Sequence, residues 1–184
     1  MKYSIGDTLN EEIIYESGIV SQFLCDSFPS HLFPEPASEP KNALKRARIN
    51  LFVDTWNSKI GMSMMNIMKA TSDSDKEAKV AEMVAIVERE LEPLLADAKP
   101  FFGGSENLSF AEVMTAPFLL RWYAQGKDGE MIPTSLVDKL DALPNFSKWA
   151  KAVQGNESVL GIWDEKNVVE SFKKKMKSVL AQQK

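Results

Sequence analysis

Residues 108–113, with the sequence LSFAEV, carry the sharpest local signal in the chain. Ser109 is placed to accept a hydrogen bond from the backbone N–H of Glu112, whose carboxylate can accept the backbone N–H of Ser109 in return. Leu108 and Val113 flank this capping box as the apolar pair of a hydrophobic staple. We therefore predict a structural role for Ser109 and Glu112 at the start of a helix.

The pattern after this start stays helical to the end of the chain. The first helix contains Pro117, which predicts a bend and no break because the apolar period continues beyond it. Further helices are expected at 134–143, at 146–153 and around 159–160. The last helix is amphipathic, with an apolar side and a basic side: Val168, Val169, Phe172, Met176 and Leu180, opposite Lys173, Lys174 and Lys177.

The pattern before the capping box predicts two long antiparallel helices. Apolar residues recur at helical spacing from Leu44 to about Thr71, and the turn at 72–75 offers an N-cap for the second helix. The Pro-rich stretch 30–40 is typical of a connector. Ahead of it, a short helix is expected to begin at Ser17 and to stop at Phe28-Pro29.

The first residues have a different pattern, typical of β-structure. Residues 2–5, a Gly6-Asp7 turn signal and residues 13–15 predict two short strands or one hairpin. Two strands alone are marginal in water, because an independently stable sheet needs about three or more.

Length and composition exclude several classes of protein. The 184 residues allow one domain or one and a half, and 44% hydrophobic content is enough for a core. A net charge of −4 argues against nucleic acid as a partner. One Cys and one His exclude a disulfide framework and a Cys/His metal cage. No run approaches the ~18 apolar residues of a membrane span, so we expect a cytoplasmic protein without membrane contact.

The residues that could carry chemistry give weak signals. Cys25 lies late in a helix beside Asp26 and is interpreted as a structural thiol, and His31 as a solvated loop residue. Four methionines stand within seven positions of one helix and could be core or an adaptable wall for an apolar ligand: Met62, Met64, Met65 and Met68. Trp122 and Tyr123 could likewise be core or pocket. No catalytic residue is identified.

Three features in chain order resemble the glutathione transferase superfamily. Residues 13–24 resemble the strand, Glu-Ser dipeptide and helix start that close the thioredoxin-like domain of that family. Phe28-Pro29, the connector and Arg46-Ala47-Arg48 resemble its passage into an all-helical domain. Residues 100–112 resemble its loop with capping box, and 116–121 resemble the omega-like and fungal branches.

The resemblance implies a mainly α fold, with an all-helical C-terminal domain preceded by a truncated thioredoxin-like α/β fragment. The implied division is 1–29 as the remnant of that domain (hairpin plus helix), 30–40 as the linker and 41–184 as the helical domain. The family's activating Ser, Cys or Tyr, and the cis-Pro ahead of the hairpin, have no counterpart here. The first part of the thioredoxin-like domain is therefore expected to be missing.

The resemblance also implies a function and a site. Glu16 and Ser17 match the pair that holds the γ-glutamyl end of glutathione, so glutathione is the implied cofactor. Met62, Met65, Trp122 and Tyr123 are the implied contacts of a small apolar electrophile. The implied activity is glutathione transfer or thiol-assisted double-bond isomerisation by a homodimer. The alternative is a non-catalytic assembly module with the same fold.

Overall fold

The computed structural model describes residues 2–5 and 8–181, with the side chains of 13–179 and 181. The described chain is mainly α-helical, which confirms the expected fold class. Two strands precede the helices: β1 Lys2–Ile5 and β2 Thr8–Ile13. The α-helices follow in this order: α1 Ser17–Ser27, α2 Pro40–Thr55, α3 Ser63–Lys69, α4 Asp73–Ile86, α5 Phe110–Asp128, α6 Ser135–Asp141, α7 Pro144–Gln154, α8 Glu157–Leu160 and α9 Glu165–Ala181.

β1 and β2 form one antiparallel pair, and the second strand lies earlier in the chain than predicted. The register pairs Ile5 with Thr8 and Lys2 with Ile13, with an irregularity between Tyr3 and Ile5. β2 ends at Ile13, so the predicted strand at 13–15 is wrong except for its first residue. The predicted Gly6-Asp7 turn lies outside the described residues.

The chain divides into two compact units, Met1–Ala47 and Arg48–Lys184. The boundaries expected at 29 and 40 stay a prediction. In the first unit, Arg46 joins three segments. Its guanidinium lies 3.6 Å from the ring centroid of the buried Phe33, and its Nη2 donates a 2.8 Å hydrogen bond to Asp26 Oδ1. Its Nη1 donates a hydrogen bond of 3.4 Å to the carbonyl oxygen of Pro34. This one side chain of α2 thus contacts both α1 and the connector.

Helix α1 has the predicted bounds but buries none of its residues. Ile19 is 59% exposed and Leu24 is 41% exposed. Phe28, which follows the helix, is 70% exposed. Several large apolar side chains in and just after this helix are therefore exposed.

The core of the second unit is an aromatic cluster. The rings of Trp56 and Trp122 are stacked, with centroids 4.4 Å apart and planes 9° from parallel. Trp149 packs edge-on against Trp56 and Phe52, with ring centroids 6.0 and 5.6 Å apart. The ring centroid of Phe146 lies 5.6 Å from that of Trp149. Such aromatic pairs add packing energy beyond the area that they bury.

The segment predicted as helical from Leu44 to about Thr71 is interrupted. A π turn at Trp56–Ile60 separates α2 from α3 and is followed by Gly61. A Cβ atom at Gly61 would lie 2.5 Å from the carbonyl oxygen of Asn57, so a larger residue would not fit there without a shift of the backbone. A second π turn, Val87–Leu91, follows α4.

The predicted helix signals are otherwise confirmed. Ser72 Oγ accepts the backbone N–H of Asp75 at 3.0 Å and caps α4. α5 runs unbroken through Pro117 as expected, whereas the bend expected there stays a prediction; Gly129, with a φ of 75°, follows its last residue. The basic side of α9 is partly paired: Lys173 Nζ lies 2.7 Å from carboxylate oxygens of both Asp128 and Glu130.

Candidate functional site

The junction between β2 and α1 has a strained backbone. Glu16 has φ 69° and ψ 117°, and it is the one non-glycine residue with a positive φ in the part of the chain that the structure describes. This conformation is unfavourable for any residue with a Cβ atom, and such strain concentrates at binding and active sites. The residue directly precedes the first helical residue, Ser17, and both are exposed.

The amino-terminal end of α1 is open. The first helical hydrogen bond runs from the N–H of Val20 to the carbonyl of Glu16, at 2.9 Å. The N–H groups of Ser17, Gly18 and Ile19 therefore have no acceptor within the helix. Among the side chains that the structure describes, none caps this end, and its first turn contains no acidic residue. Free N–H groups and the positive end of the helix dipole together suit a carboxylate ligand.

Cys25 and His31 have the positions expected of residues without a chemical role. Cys25 is half-buried in the last turns of α1. Burial and the neighbouring Asp26 carboxylate raise the pKa of its thiol, while Arg46 has a smaller opposite effect. A thiol with a raised pKa is a poor nucleophile at neutral pH. His31 is exposed in the connector.

The four methionines divide between the core and the surface. Met64 and Met68 are 8% and 1% exposed and belong to the core of the second unit. Met62, just after Gly61, is 64% exposed, and Met65 is half-buried. Of the four methionines, the two predicted to contact an electrophile are thus the two that remain accessible.

Trp122 and Tyr123 lie in the core, 3% and 4% exposed. Trp122 stacks on Trp56, and the Tyr123 hydroxyl donates a 2.8 Å hydrogen bond to Asp141 Oδ1. Burial, followed by the effect of Asp141, raises the pKa of the Tyr123 phenol, so this hydroxyl stays protonated. Of the four predicted substrate contacts, these two serve packing in the present arrangement, and their role towards a substrate stays a prediction.

The capping box is confirmed, and Glu112 does more than the sequence indicated. Its Oε2 accepts the backbone N–H of Ser109 at 2.8 Å, and Ser109 Oγ caps the first turn. Its Oε1 accepts two further hydrogen bonds, from the N–H of Phe102 and from Trp149 Nε1, both at 2.8 Å. No local sequence motif points to these two long-range partners, so the sequence analysis missed them.

Among the described residues, no group of three or more His, Cys, Asp or Glu side chains could hold a metal ion. Within the same range, every helix is too short or too polar to span a lipid bilayer.

Comparisons with known proteins gave results at the level of structure alone. No family model and no curated protein sequence matches the chain. Among solved structures, rice GST1 in complex with glutathione matches with a TM-score of 0.67 and 23% identity, over 91% of this chain and 71% of its own.

Two fungal structures match to a similar degree. Glutathione transferase Omega 2C from Trametes versicolor has a TM-score of 0.67 and 26% identity, over 92% of this chain and 69% of its own. Glutathione transferase Omega 3C from the same organism has a TM-score of 0.66 and 22% identity, over 92% of this chain and 67% of its own. The chain therefore has the fold of the glutathione transferase superfamily, as the resemblance of its sequence implied.

Proposed function

We propose that this chain binds glutathione at the amino-terminal end of α1 and acts as a glutathione-transferase-like enzyme on a small apolar electrophile. The observation that carries the proposal is the strained Glu16 backbone at the head of an uncapped helix. A structure with the same fold, rice GST1, was solved in complex with glutathione, which supports this choice of ligand.

The residues at this end fit the γ-glutamyl part of glutathione. The free N–H groups of the first turn and the Ser17 hydroxyl can donate to its α-carboxylate. The Glu16 carboxylate can pair with its α-ammonium group. Strain at Glu16 is consistent with this role, because a backbone held in an unfavourable conformation fixes where the side chain and the next N–H groups point.

Bound glutathione would supply the thiol nucleophile, for conjugation or for thiol-assisted isomerisation of a double bond. We propose Met62 and Met65 as contacts of the apolar substrate, since an accessible thioether side chain adapts to different shapes. Trp122 and Tyr123 remain predicted contacts that would need a side-chain movement to reach a substrate. No residue is assigned to activation of the thiol. We further propose a homodimer in the cytoplasm.

Calorimetry with glutathione tests the proposal on three variants. Ser17→Ala should weaken binding by about 1–3 kcal/mol, or about fivefold or more, because it removes a hydroxyl that bonds a charged group. Glu16→Gln should also weaken binding, by removing the charge that pairs with the ammonium. Ser27→Ala, at the exposed other end of α1, is the matched control and should bind as the wild type does.

Absence of glutathione binding by the wild-type chain would reject the proposal. Binding that is unchanged in Ser17→Ala and Glu16→Gln would reject the site. Turnover with a panel of small electrophiles then separates an enzyme from a protein that only binds glutathione.

A second candidate is the non-catalytic assembly module. The observation that favours it is the exposed apolar surface of the first unit, where Tyr15, Phe28 and Leu44 are 76%, 70% and 65% exposed. Such residues are typical of an interaction surface when they form a contiguous patch. Concentration-dependent association in sedimentation experiments, without glutathione binding, would favour this candidate.

A further inference from the structure

The core of the second unit contains polar atoms that its own side chains and backbone do not satisfy. Trp56 and Gln125 are both 0% exposed. The indole Nε1 of Trp56, and both Oε1 and Nε2 of Gln125, have no hydrogen-bond partner in the described chain. Nearly all buried polar groups in native proteins are bonded, so each such atom requires an explanation.

Both residues adjoin Trp122. Trp56 stacks on Trp122, with ring centroids 4.4 Å apart. Gln125 follows Trp122 by three positions on α5, and residues at that spacing lie on the same helix face, one turn apart. The Cα atom of Gln125 therefore lies about 4.5 Å along the helix axis from that of Trp122, the residue on which Trp56 is stacked.

The local backbone at Trp56 is also unusual. Trp56 is the first residue of the π turn Trp56–Ile60. Single π turns in otherwise α-helical segments occur frequently at functional sites. The turn is an observation independent of the unpartnered atoms, and it coincides with one of them.

The chemistry of the three atoms defines what could bind them. The indole N–H only donates, whereas the carboxamide both donates and accepts. None of them carries a charge, so an ion would be left without a counter-charge from this set. A ligand that fits these atoms is small and neutral, and it both donates and accepts hydrogen bonds.

We propose that the second unit binds one ordered internal water molecule between Trp56 and Gln125. The water accepts a hydrogen bond from Trp56 Nε1–H and is bonded to the Gln125 carboxamide. A bridge of two hydrogen bonds joins polar atoms that are up to about 5.5 Å apart, and internal waters commonly link such groups. The water thereby fixes the orientation of Trp56 in its stack with Trp122.

Nuclear magnetic resonance of the ¹⁵N-labelled full chain tests this site. The indole proton of Trp56 and the side-chain amide protons of Gln125 should each show a nuclear Overhauser cross-peak to a bound water. Trp149 provides the control in the same molecule. Its indole is equally buried, but it donates to Glu112 Oε1 at 2.8 Å and should show no such peak.

The variant Gln125→Met removes both carboxamide atoms and keeps a side chain of similar length. The cross-peak at Trp56 should disappear in this variant, and that at Trp149 should stay absent. Absence of the peaks in the wild-type protein overturns the proposal without any variant, as would a direct hydrogen bond between Trp56 and Gln125. A Trp56 peak that persists unchanged in Gln125→Met would overturn the role given to Gln125.

Discussion

The indole Nε1–H of Trp149, in the middle of α7, donates a 2.8 Å hydrogen bond to Oε1 of Glu112, in the first turn of α5. The same oxygen accepts the backbone N–H of Phe102, and the other oxygen accepts the N–H and hydroxyl of Ser109. Glu112 is fully buried. A motif that normally serves one helix end thus joins two helices and a loop of the second unit.

Replacing Glu112 by Ala should lower the free energy of unfolding by about 3–5 kcal/mol. The change leaves several buried donors without an acceptor, and each unsatisfied group costs about 1–3 kcal/mol. Glu112→Gln keeps one acceptor oxygen and should lose less. Urea unfolding measures both variants, with Glu106→Ala in the exposed loop as the control. Equal stability of Glu112→Ala and Glu106→Ala would contradict this role.

Gly126 permits the close packing of α5 on α6, and its replacement should reveal this. A Cβ atom at Gly126 would lie 2.7 Å from Val137 Cγ2, a contact that real side chains avoid. Gly126→Ala should therefore destabilise the chain by about 1–3 kcal/mol, which outweighs a gain of about 1 kcal/mol in helix propensity.

The control for this prediction is the double variant Gly126→Ala/Val137→Ala, which removes the methyl group in the way. Thermal unfolding should show that the double variant loses less stability than the sum of the losses in Gly126→Ala and in Val137→Ala alone. Strictly additive effects of the two substitutions would argue against a steric contact.

Local signals in the sequence predicted the helix starts well, because they depend on neighbouring residues alone. Ser109 caps the helix that it was expected to cap, and the N-cap expected within residues 72–75 is Ser72. The second strand was placed wrongly because its position depends on its pairing with β1, which the local pattern does not specify. The π turn at Trp56–Ile60 was not predicted because the buried residues around it still recur every three to four positions, as they do in an α-helix.

Acid should weaken the attachment of α9 to the end of α5. Hydrogen bonds and charge attraction from Lys173 and Lys177 hold the pKa of Glu130 at about 2, against an ordinary value of 4.5. Because the folded pKa is the lower one, the stabilisation is fully present above pH 4.5 and is lost as the pH falls towards 2.

Amide exchange in α9, followed between pH 5 and pH 2, measures this loss after correction for the intrinsic exchange rate. Protection of α9 should decrease over that interval in the wild type. Glu130→Gln should start with lower protection and show a smaller decrease. An identical profile for both proteins would contradict the role of Glu130.

Relief of the backbone strain at Glu16 should raise the stability of the fold while the affinity for glutathione falls. Glu16→Gly removes the Cβ atom that makes a φ of 69° unfavourable, and it should raise the free energy of unfolding by up to about 1 kcal/mol. The same change removes the carboxylate proposed to pair with the ammonium of glutathione, so affinity should fall.

Chemical denaturation and calorimetry measure the two effects. Glu16→Ala is the matched control, since it removes the carboxylate but keeps the Cβ atom and the strain. A stability gain in Glu16→Ala as large as in Glu16→Gly would show that the backbone conformation is not responsible.

The candidate site was only partly accessible to sequence reasoning. Glu16 and Ser17 were chosen from a resemblance, and nothing in the sequence could indicate the positive φ of a glutamate. The exposure of Met62 and the burial of Trp122 depend on which helices pack together. Helical spacing groups residues on a face but does not say whether another element covers it.

The two π turns are positions where related proteins could differ from this chain in length by one residue. A π turn encloses one residue more than an α turn, so Trp56–Ile60 and Val87–Leu91 each amount to a single-residue insertion in a regular helix. Deletion of the exposed Ser58 would return α geometry and leave the flanking faces in register. A deletion within α5 would instead rotate Trp122 by about 100° relative to the start of its helix and take it away from Trp56. Length variation by one residue is therefore best accommodated at these turns.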